Sequence, residues 1–372
     1  MSPGSGDAVR EMCTGAKVVV TCGTGGVGKT SIAAALGVAA AGRGRRAVVV
    51  TIDPARRLAD AIGRGGELGN EPVRISLDAS GELWVCMLDV RATFDQLVRD
   101  TSPTPARAQE VLDNSFYRSM SKSLSGTRDY MAAERLYTLA NDSRFDLVIV
   151  DTPPSRNALD FIESPERLAR FLKHPIVRFL IAPGRGGLRL ASAAMTPVLK
   201  VISSIVGSDA LSGAIAFLRA FDGMQDEFTR RALSVATTLR SEHTSFVVVT
   251  APAPDALTEA DHFVSELSRL SIPLRLVVTN RMPPRFGSTT SEAELRIANA
   301  TTGEESTAHR VLAGLTLDAE RAEQRVDGFV ERTRIRFPRV PVVHTTELAV
   351  DIHDMESITS LSGQLVPSAT RQ

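Results

Sequence analysis

The sequence has few cysteines, and they follow no regular spacing. Its 372 residues contain three, Cys13, Cys22 and Cys86, and no Cys-x-x-Cys pair. An odd number of scattered cysteines does not form a disulfide framework, and without such pairs the usual thiolate ligands of a structural zinc ion are missing. We therefore expect neither a disulfide scaffold nor a thiolate-bound metal.

An excess of charge of one sign is also absent. Lysine and arginine together number 43, as do aspartate and glutamate, so the chain lacks the basic field that general nucleic-acid binding requires. The longest apolar-rich stretch, Ala191 to Ile215, is interrupted by Lys200, Asp209 and several serines, which argues against a membrane span. Residues 1–9 contain no basic region followed by an apolar stretch, so we expect no signal peptide and a cytoplasmic protein.

Short β-branched runs alternate with helix-like stretches along the chain. Runs that are nearly continuous in apolar residues are typical of strands buried on both faces of a parallel sheet. They are Lys17–Cys22, Ala47–Ile52, Leu83–Leu88, Asp146–Val150, Phe246–Thr250, Leu274–Thr279 and Val340–His344. The clearest helices between them are Thr30–Ala41 and Ala256–Leu270. This alternation predicts an α/β fold built on a doubly wound, mostly parallel sheet.

Two segments interrupt the alternation. Residues 91–139 and 164–243 contain no strand-like run, and we interpret them as helical insertions into one domain that covers residues 14–372. Residues 1–13 and 364–372 are expected to be flexible. Apolar side chains recur at helical spacing in the second insertion, where they either bind a client or pack against the core. These residues are Leu188, Met195, Leu199, Ile202 and Val206.

A glycine-rich segment between the first strand and the first helix matches the phosphate-binding pattern Gly-x-x-x-x-Gly-Lys-[Ser/Thr] in full. Glycines let backbone N–H groups turn toward a polyphosphate, and the helix N-terminus adds the positive end of its dipole. Lys29 supplies a charge to the β and γ phosphates, and the Thr30 hydroxyl is a Mg²⁺ ligand. The residues predicted to bind ATP here are Gly23, Thr24, Gly25, Gly26, Val27, Gly28, Lys29, Thr30 and Ser31.

Two aspartates follow buried strands. Asp151 closes the run that ends at Val150, where a carboxylate can hold Mg²⁺ through water; its alternative role is to cap the next turn. Asp53 follows Ile52 and can orient the attacking water or accept its proton. The alternative for Asp53 is an N-cap of the following helix, and its position alone does not decide between the two.

Together these motifs resemble those of the arsenite-pump and tail-anchored-protein-targeting ATPases, which belong to the deviant-Walker group of P-loop proteins. The resemblance covers about residues 16–360 and rests on three segments, which are Gly23–Thr30, Thr51–Ala55 and Val148–Ser155. An actinobacterial subgroup of this family is the most similar. Its sequences are similar to this chain at Ile52–Leu58, Asp129–Ala132 and Asn157–Phe161.

The resemblance implies a dimer that closes over Mg²⁺-ATP and opens after hydrolysis. It makes Asp53 the catalytic switch carboxylate, acting with Lys29. It makes Asn280 the residue that reads adenine, although an asparagine that starts a turn is the alternative. Pro341 to Asp351 match the last strand and the loop beside the base, and residues 164–243 correspond to client-binding helices. Pro341 is accordingly predicted to contact the nucleotide.

Three features differ from the family. Thr24 occupies the position of a signature lysine that reaches across the dimer to the partner's phosphates. Arg156-Asn157 replace a Gly-His pair in the second switch, and the zinc-binding Cys-x-x-Cys is missing. These differences leave open whether the chain pairs with itself or with a related ATPase that retains the lysine. They also leave open whether Arg56, Arg57 or Arg156 replaces the missing charge.

The motifs and insertions favour an ATPase that converts ATP and water to ADP and phosphate and acts as a conformational switch on a client or partner protein. The alternative is a weakly hydrolysing structural subunit of a heterodimer, which Thr24 favours. The energising subunit of an anion transporter would need a sensor with soft ligands, and the cysteines are scattered. A small-molecule kinase is disfavoured by the Asp-Pro-Ala and Asp-Thr-Pro-Pro segments.

Overall fold

The protein divides into two compact units. A computed structural model describes residues 5–53, 57–63, 68–114, 117, 125–153, 158–175, 224–285 and 304–366. The first unit comprises Met1–Met87, Leu139–Leu159 and Arg240–Gln372, and the second comprises Leu88–Thr138 and Asp160–Leu239. The two segments of the second unit begin and end near the stretches in which the sequence shows no strand-like run.

An eight-stranded sheet forms the centre of the first unit. Its strands are β1 (Val18–Cys22), β2 (Arg46–Thr51), β3 (Val73–Ile75), β4 (Glu82–Met87), β5 (Leu147–Asp151), β6 (Thr244–Thr250), β7 (Leu274–Met282) and β8 (Val342–Thr346). They lie in the order β3-β4-β2-β5-β1-β6-β7-β8, and all neighbours are parallel except β3 and β4. The predicted doubly wound, mostly parallel α/β fold is confirmed.

The apolar runs account for seven of these strands but not for β3. Val73 is half-buried and Arg74 is exposed, so this edge strand lacks the continuous apolar signal of the central ones. It pairs in the antiparallel sense, with Arg74 opposite Trp84. An edge strand needs only one buried face, which explains why a search for runs buried on both faces missed it.

The described helices of the first unit pack on the sheet or on one another. They are α1 (Ser5–Gly15), α2 (Lys29–Ala41), α3 (Arg57–Ala61), α9 (Pro254–Arg269), α10 (Glu304–Arg336) and α11 (Met355–Leu365). The helix α2 is buried over nearly its whole length because it consists mostly of small residues. A Cβ on Gly37 would lie 2.8 Å from Leu83 and 2.9 Å from Val49, so only glycine allows the helix to lie so close to the sheet without displacing those side chains.

The N-terminal segment differs from the expectation of a flexible end. Residues 5–15 form α1, and its side chains Val9, Met12 and Cys13 are buried. The Arg45 guanidinium donates hydrogen bonds to the carbonyls of Cys13 at 3.3 Å and Ala16 at 2.8 Å. These bonds satisfy carbonyls that the helix end leaves without intrahelical donors. At the other end of the chain, α11 extends to Leu365, and residues 367–372 lie outside the described part.

In the described residues of the second unit, every regular element is a helix. Its helices are α4 (Val90–Thr101), α5 (Pro105–Asp113), most of α6 (Ser125–Ala140), most of α7 (Ala158–Lys173) and α8 (Gln225–Leu239). Phe94 stacks on Tyr117 and packs against Phe228 within its core. Glu134 is buried and pairs with Arg231 at 2.6 Å. The apolar stripe from Leu188 to Val206 lies outside the described residues.

Within the described ranges, none of the helices combines the length and the apolar character that crossing a lipid bilayer would require.

Candidate nucleotide site

The predicted phosphate-binding residues lie where three central strands end. Because β5 is the neighbour of both β1 and β2, the register places Asp151 opposite Thr21 on one side and Thr51 on the other. In open α/β sheets, ligands bind beyond the carboxyl ends of the strands. The chain leaves β1 at Cys22 and enters the glycine-rich loop directly from this edge.

The glycine-rich loop has a backbone that side chains would not tolerate. Gly23 has a φ of 151°, and a Cβ there would lie 2.0 Å from the carbonyl oxygen of Val249 in β6. Gly28 has a φ of 88° and is the N-cap of α2, where a Cβ would meet the Asn280 amide at 2.3 Å. Gly26 also has a positive φ, of 81°. The glycines of the motif are therefore required by the left-handed backbone and by close approach to neighbouring strands.

Lys29 begins α2 and turns its side chain back into the loop. Its Nζ donates a hydrogen bond to the carbonyl oxygen of Thr24 at 2.6 Å, and the side chain is buried. The last loop residue, Gly28, is also the N-cap of α2. Its carbonyl accepts the first hydrogen bond of the helix, from the Ile32 amide at 3.0 Å. A positive charge and a helix N-terminus therefore occupy the same loop, and both favour a bound anion.

Asp151 connects the start of α2 with the end of β2. Its Oδ2 accepts hydrogen bonds from the Thr30 hydroxyl at 2.8 Å and from the Thr51 hydroxyl at 2.9 Å. Its Oδ1 is buried and has no hydrogen-bond partner among the described residues. Burial raises the pKa of Asp151 to about 6, against the opposing effect of the two hydroxyl hydrogen bonds.

This arrangement fits a magnesium ion. A buried carboxylate oxygen without a partner needs a cation or an ordered water, and the adjacent Thr30 hydroxyl is an oxygen ligand of the type that Mg²⁺ prefers. Within the described ranges, no three His, Cys, Asp or Glu side chains gather into a metal-binding group. A Mg²⁺ site made from one carboxylate, one hydroxyl and the phosphates of a nucleotide needs no such group.

Asp53 follows β2 at the same edge and is half-buried. Its backbone N–H donates to the Thr51 hydroxyl at 3.2 Å. The intervening residues before α3 lie outside the described part, so the choice between a catalytic carboxylate and a helix cap stays a prediction. Thr51 was not among the residues predicted from the sequence, although a threonine at the end of an apolar strand beside an aspartate is a signal that could have identified it.

The structure brings Asn280 to the site but not Pro341. The Asn280 Nδ2 donates to the Val27 carbonyl of the loop at 2.8 Å. Pro341 precedes β8, and its carbonyl accepts from the Val277 amide at 3.0 Å, near the other end of β7. Because a strand rises about 3.3 Å per residue, Pro341 lies about 13 Å along the chain from Thr345, which is the β8 residue that contacts Asn280. Pro341 thus lies about the length of a strand from the residue that reaches the loop, and its contact with the nucleotide stays a prediction.

The remaining predicted residues lie in the loop or directly after it. Val27 is buried, Gly25 and Gly26 are exposed, and Ser31 is half-buried on the first turn of α2. Thr24 is buried, with 5% of its surface exposed. Apart from Pro341, the residues named from the motif thus occupy one continuous region of the first unit.

The sequence profile of the anion-transporting ATPases matches residues 16–296 of the chain. The chain belongs to this family. This confirms the resemblance to arsenite-pump and tail-anchored-protein-targeting ATPases that the motifs indicated, and it establishes the chain as a member of a family of P-loop ATPases.

Individual members of the anion-transporting ATPase family are similar at low identity. The ATPase GET3B of Arabidopsis thaliana is 28% identical over 301 residues, which cover 74% of this chain and 67% of that protein. An ATPase ASNA1 homolog of Entamoeba dispar is 24% identical over 274 residues, covering 72% of this chain and 77% of that protein. A putative arsenical pump-driving ATPase of Halobacterium salinarum is 29% identical over 180 residues, or 44% of this chain and 26% of that protein.

We expect Lys29→Ala to weaken ATP binding by about tenfold to a hundredfold, because a charged hydrogen bond contributes about 1.5–3 kcal/mol. Isothermal titration calorimetry with Mg²⁺-ATP measures the change. Lys17→Ala is the matched control, since Lys17 is exposed and precedes β1. If Lys29→Ala bound ATP as tightly as the parent chain, the assignment of the phosphate loop would be wrong.

We expect the Mg²⁺ affinity of the nucleotide complex to fall as the pH falls through about 6, the raised pKa of Asp151. Below that pH, Mg²⁺ has to displace a proton, so the required concentration rises by about tenfold per pH unit. A metal titration at several pH values measures this dependence. Asp151→Asn should bind Mg²⁺ weakly and keep only the pH dependence that the nucleotide phosphates themselves cause, and a profile identical to that of the parent would contradict the metal role.

The stability of the metal-free protein provides an independent check of the same group. A folded-state pKa above the ordinary 3.8 means that the folded chain binds this proton more tightly than the unfolded chain does. The contribution of Asp151 to the free energy of unfolding is therefore complete below about pH 4 and is lost as the pH rises through 6. Asp151→Asn should remove this loss.

Proposed function

We propose that this chain is an ATP-driven conformational switch that binds and hydrolyses Mg²⁺-ATP at the carboxyl edge of its central strands. The observation that carries the proposal is the convergence of the Thr30 and Thr51 hydroxyls on one oxygen of Asp151 while the other oxygen stays without a partner. In the proposed complex, Lys29 and the loop amides hold the phosphates, and Thr30 with Asp151 holds the metal. Mg²⁺ would neutralise charge that develops on the phosphates.

The hydrogen bonds around Thr51 support a coupling between metal and switch. One hydroxyl group donates to Asp151 at 2.9 Å and accepts from the Asp53 amide at 3.2 Å. A change in the charge or position of Asp151 therefore reaches the backbone of Asp53 through a single side chain. We propose that Asp53 orients the attacking water and that its position depends on the state of the nucleotide.

We expect Asp53→Asn to retain ATP binding while its single-turnover hydrolysis rate falls by about 10²-fold or more, because the amide keeps the shape of the side chain but cannot take a proton. Rapid-quench measurement of hydrolysis, beside calorimetry of binding, separates the two effects. Asp60→Asn is the matched control, since Asp60 is an exposed carboxylate in α3. Unchanged hydrolysis in Asp53→Asn would return Asp53 to the role of a helix cap.

The assembly that we propose is a dimer, and Thr24 bears on which kind. The Thr24 side chain is buried, and its carbonyl accepts the hydrogen bond of Lys29. A short, neutral and buried side chain cannot supply a positive charge to the phosphates of another subunit. We therefore propose, as a second candidate, that a related ATPase with a lysine at this position completes the site, and that the chain alone hydrolyses ATP slowly.

We expect the purified chain to show little ATPase activity over a wide range of protein concentration. Thr24→Lys should raise the turnover of the homodimer, because charge donated in trans to a phosphoryl group is worth about 10³-fold in favourable cases. Steady-state ATPase assays of both proteins measure the difference, with Thr24→Ser as the neutral control. High activity of the parent chain that is lost in Arg156→Ala or Arg56→Ala would contradict the heterodimer and assign the charge to the chain itself.

The binding region for a client is proposed from its position in the sequence alone. Residues 164–243 contain the apolar stripe, and we propose that a client or partner protein binds there, in the cytoplasm. A role in driving an anion pump has less support, because each of the three cysteines is buried. Burial raises the pKa of Cys13 to about 11 and that of Cys22 to about 12, so neither thiol is suited to capture a soft ion.

A further inference from the structure

A buried chain of hydrogen bonds connects the last strand of the sheet to the phosphate loop. The Thr345 hydroxyl in β8 donates to Asn280 Oδ1 at 2.6 Å, and Asn280 Nδ2 donates to the Val27 carbonyl at 2.8 Å. Thr345 is fully buried, and Asn280 has 5% of its surface exposed. A carbonyl can only accept, so the bond to Val27 fixes which end of the carboxamide faces the loop.

The backbone of β7 is distorted at the residue that makes this connection. Thr279 pairs with His344 and Met282 with Thr346, so β7 contains one more residue than β8 over this interval. Arg281 absorbs the extra residue with a φ of 59°, a left-handed conformation that is strained for a non-glycine residue. Bulges of this kind redirect side chains near functional sites.

The carboxamide also fills the space beside the loop. A Cβ on Gly28 would lie 2.3 Å from Asn280 Nδ2, so the amide lies against the backbone from which α2 begins. The amide thus contacts two successive residues of the loop, with a hydrogen bond to one and close packing against the other.

We propose that Thr345 and Asn280 form a brace that holds the phosphate loop in its binding conformation, and that Thr345 is a positioning residue for the nucleotide. The brace comprises these two side chains and the Val27 carbonyl. This inference rests on the proposed function, since it assigns a role within the same Mg²⁺-ATP site. The brace acts on the polyphosphate, and its contribution is the same for every nucleobase.

The brace makes a prediction that differs from adenine recognition, the role that the family resemblance implies for Asn280. An amide has two donor hydrogens, and its oxygen has two lone pairs. The brace uses one donor hydrogen and one lone pair of Asn280. The second hydrogen and the second lone pair belong to a side chain that is almost completely buried. If the amide served the base, disturbing it would change the preference among nucleotides. If it serves the loop, disturbing it weakens all polyphosphates alike.

The test compares Thr345→Val, which keeps the shape but removes the hydroxyl, with Thr345→Ser, which keeps the hydroxyl. Calorimetry measures the Kd of Mg²⁺-ATP, Mg²⁺-GTP and Mg²⁺-tripolyphosphate, the last of which has no base. We expect Thr345→Val to weaken all three by a similar factor of about five to ten, the effect of losing one buried hydrogen bond, and Thr345→Ser to restore them. A loss confined to ATP would overturn the brace in favour of base reading, as would three unchanged affinities.

Hydrogen–deuterium exchange in the absence of nucleotide gives a readout that does not depend on binding. We expect the peptide that spans residues 23–30 to exchange faster in Thr345→Val than in the parent or in Thr345→Ser, while peptides of β1 and β5 stay unchanged. Faster exchange throughout the first unit would show a general loss of stability and overturn the specific role. Where Thr345→Val does not fold, Thr345→Ala gives the same comparison. A parent chain that binds none of the three ligands would instead refute the proposed function itself.

Discussion

The desolvated carboxylate of Asp151 is the interaction around which this edge of the sheet is organised. It ends a strand that lies between β1 and β2, so hydroxyls from both sides reach the same oxygen, Thr30 from the first turn of α2 and Thr51 from the end of β2. A buried carboxylate is tolerated because these hydrogen bonds offset part of its desolvation, and the remaining oxygen retains the capacity to attract a cation. The start of α2 and the end of β2 are thus joined through one carboxylate.

The central architecture could be predicted from the sequence because its signal is strong. Strands buried on both faces are continuous in apolar residues, and the glycines of the P-loop are required by backbone geometry that the motif records directly. Elements with weaker constraints were missed. The helix α10 buries small residues, Ala313, Ala319 and Ala322, before the larger Val326 and Phe329, and small residues contribute little to an apolar periodicity. The edge strand β3 has only one buried residue, Ile75.

Site residues show the same division. Lys29, Thr30 and Asp151 follow from a motif and its position after strands, and the structure places them together. Thr51 and Thr345 were not predicted, since a single threonine at a strand end becomes meaningful only when its neighbour across the sheet is known. Pro341 was named by analogy with the start of a matching segment and precedes β8, whereas Thr345, near the carboxyl end of that strand, contacts Asn280.

The helix α1 has a consequence for how the protein is handled. The profile of the family begins at residue 16, so a gene trimmed to that boundary would encode a chain without α1. Such a chain would expose to water the surface, mainly of α2, that Val9, Met12 and Cys13 cover, and Arg45 would lose the carbonyl acceptors of Cys13 and Thr14. Poor solubility of that shortened protein would reflect the removal of a packed helix, and the domain boundary relevant for expression lies upstream of the one that homology suggests.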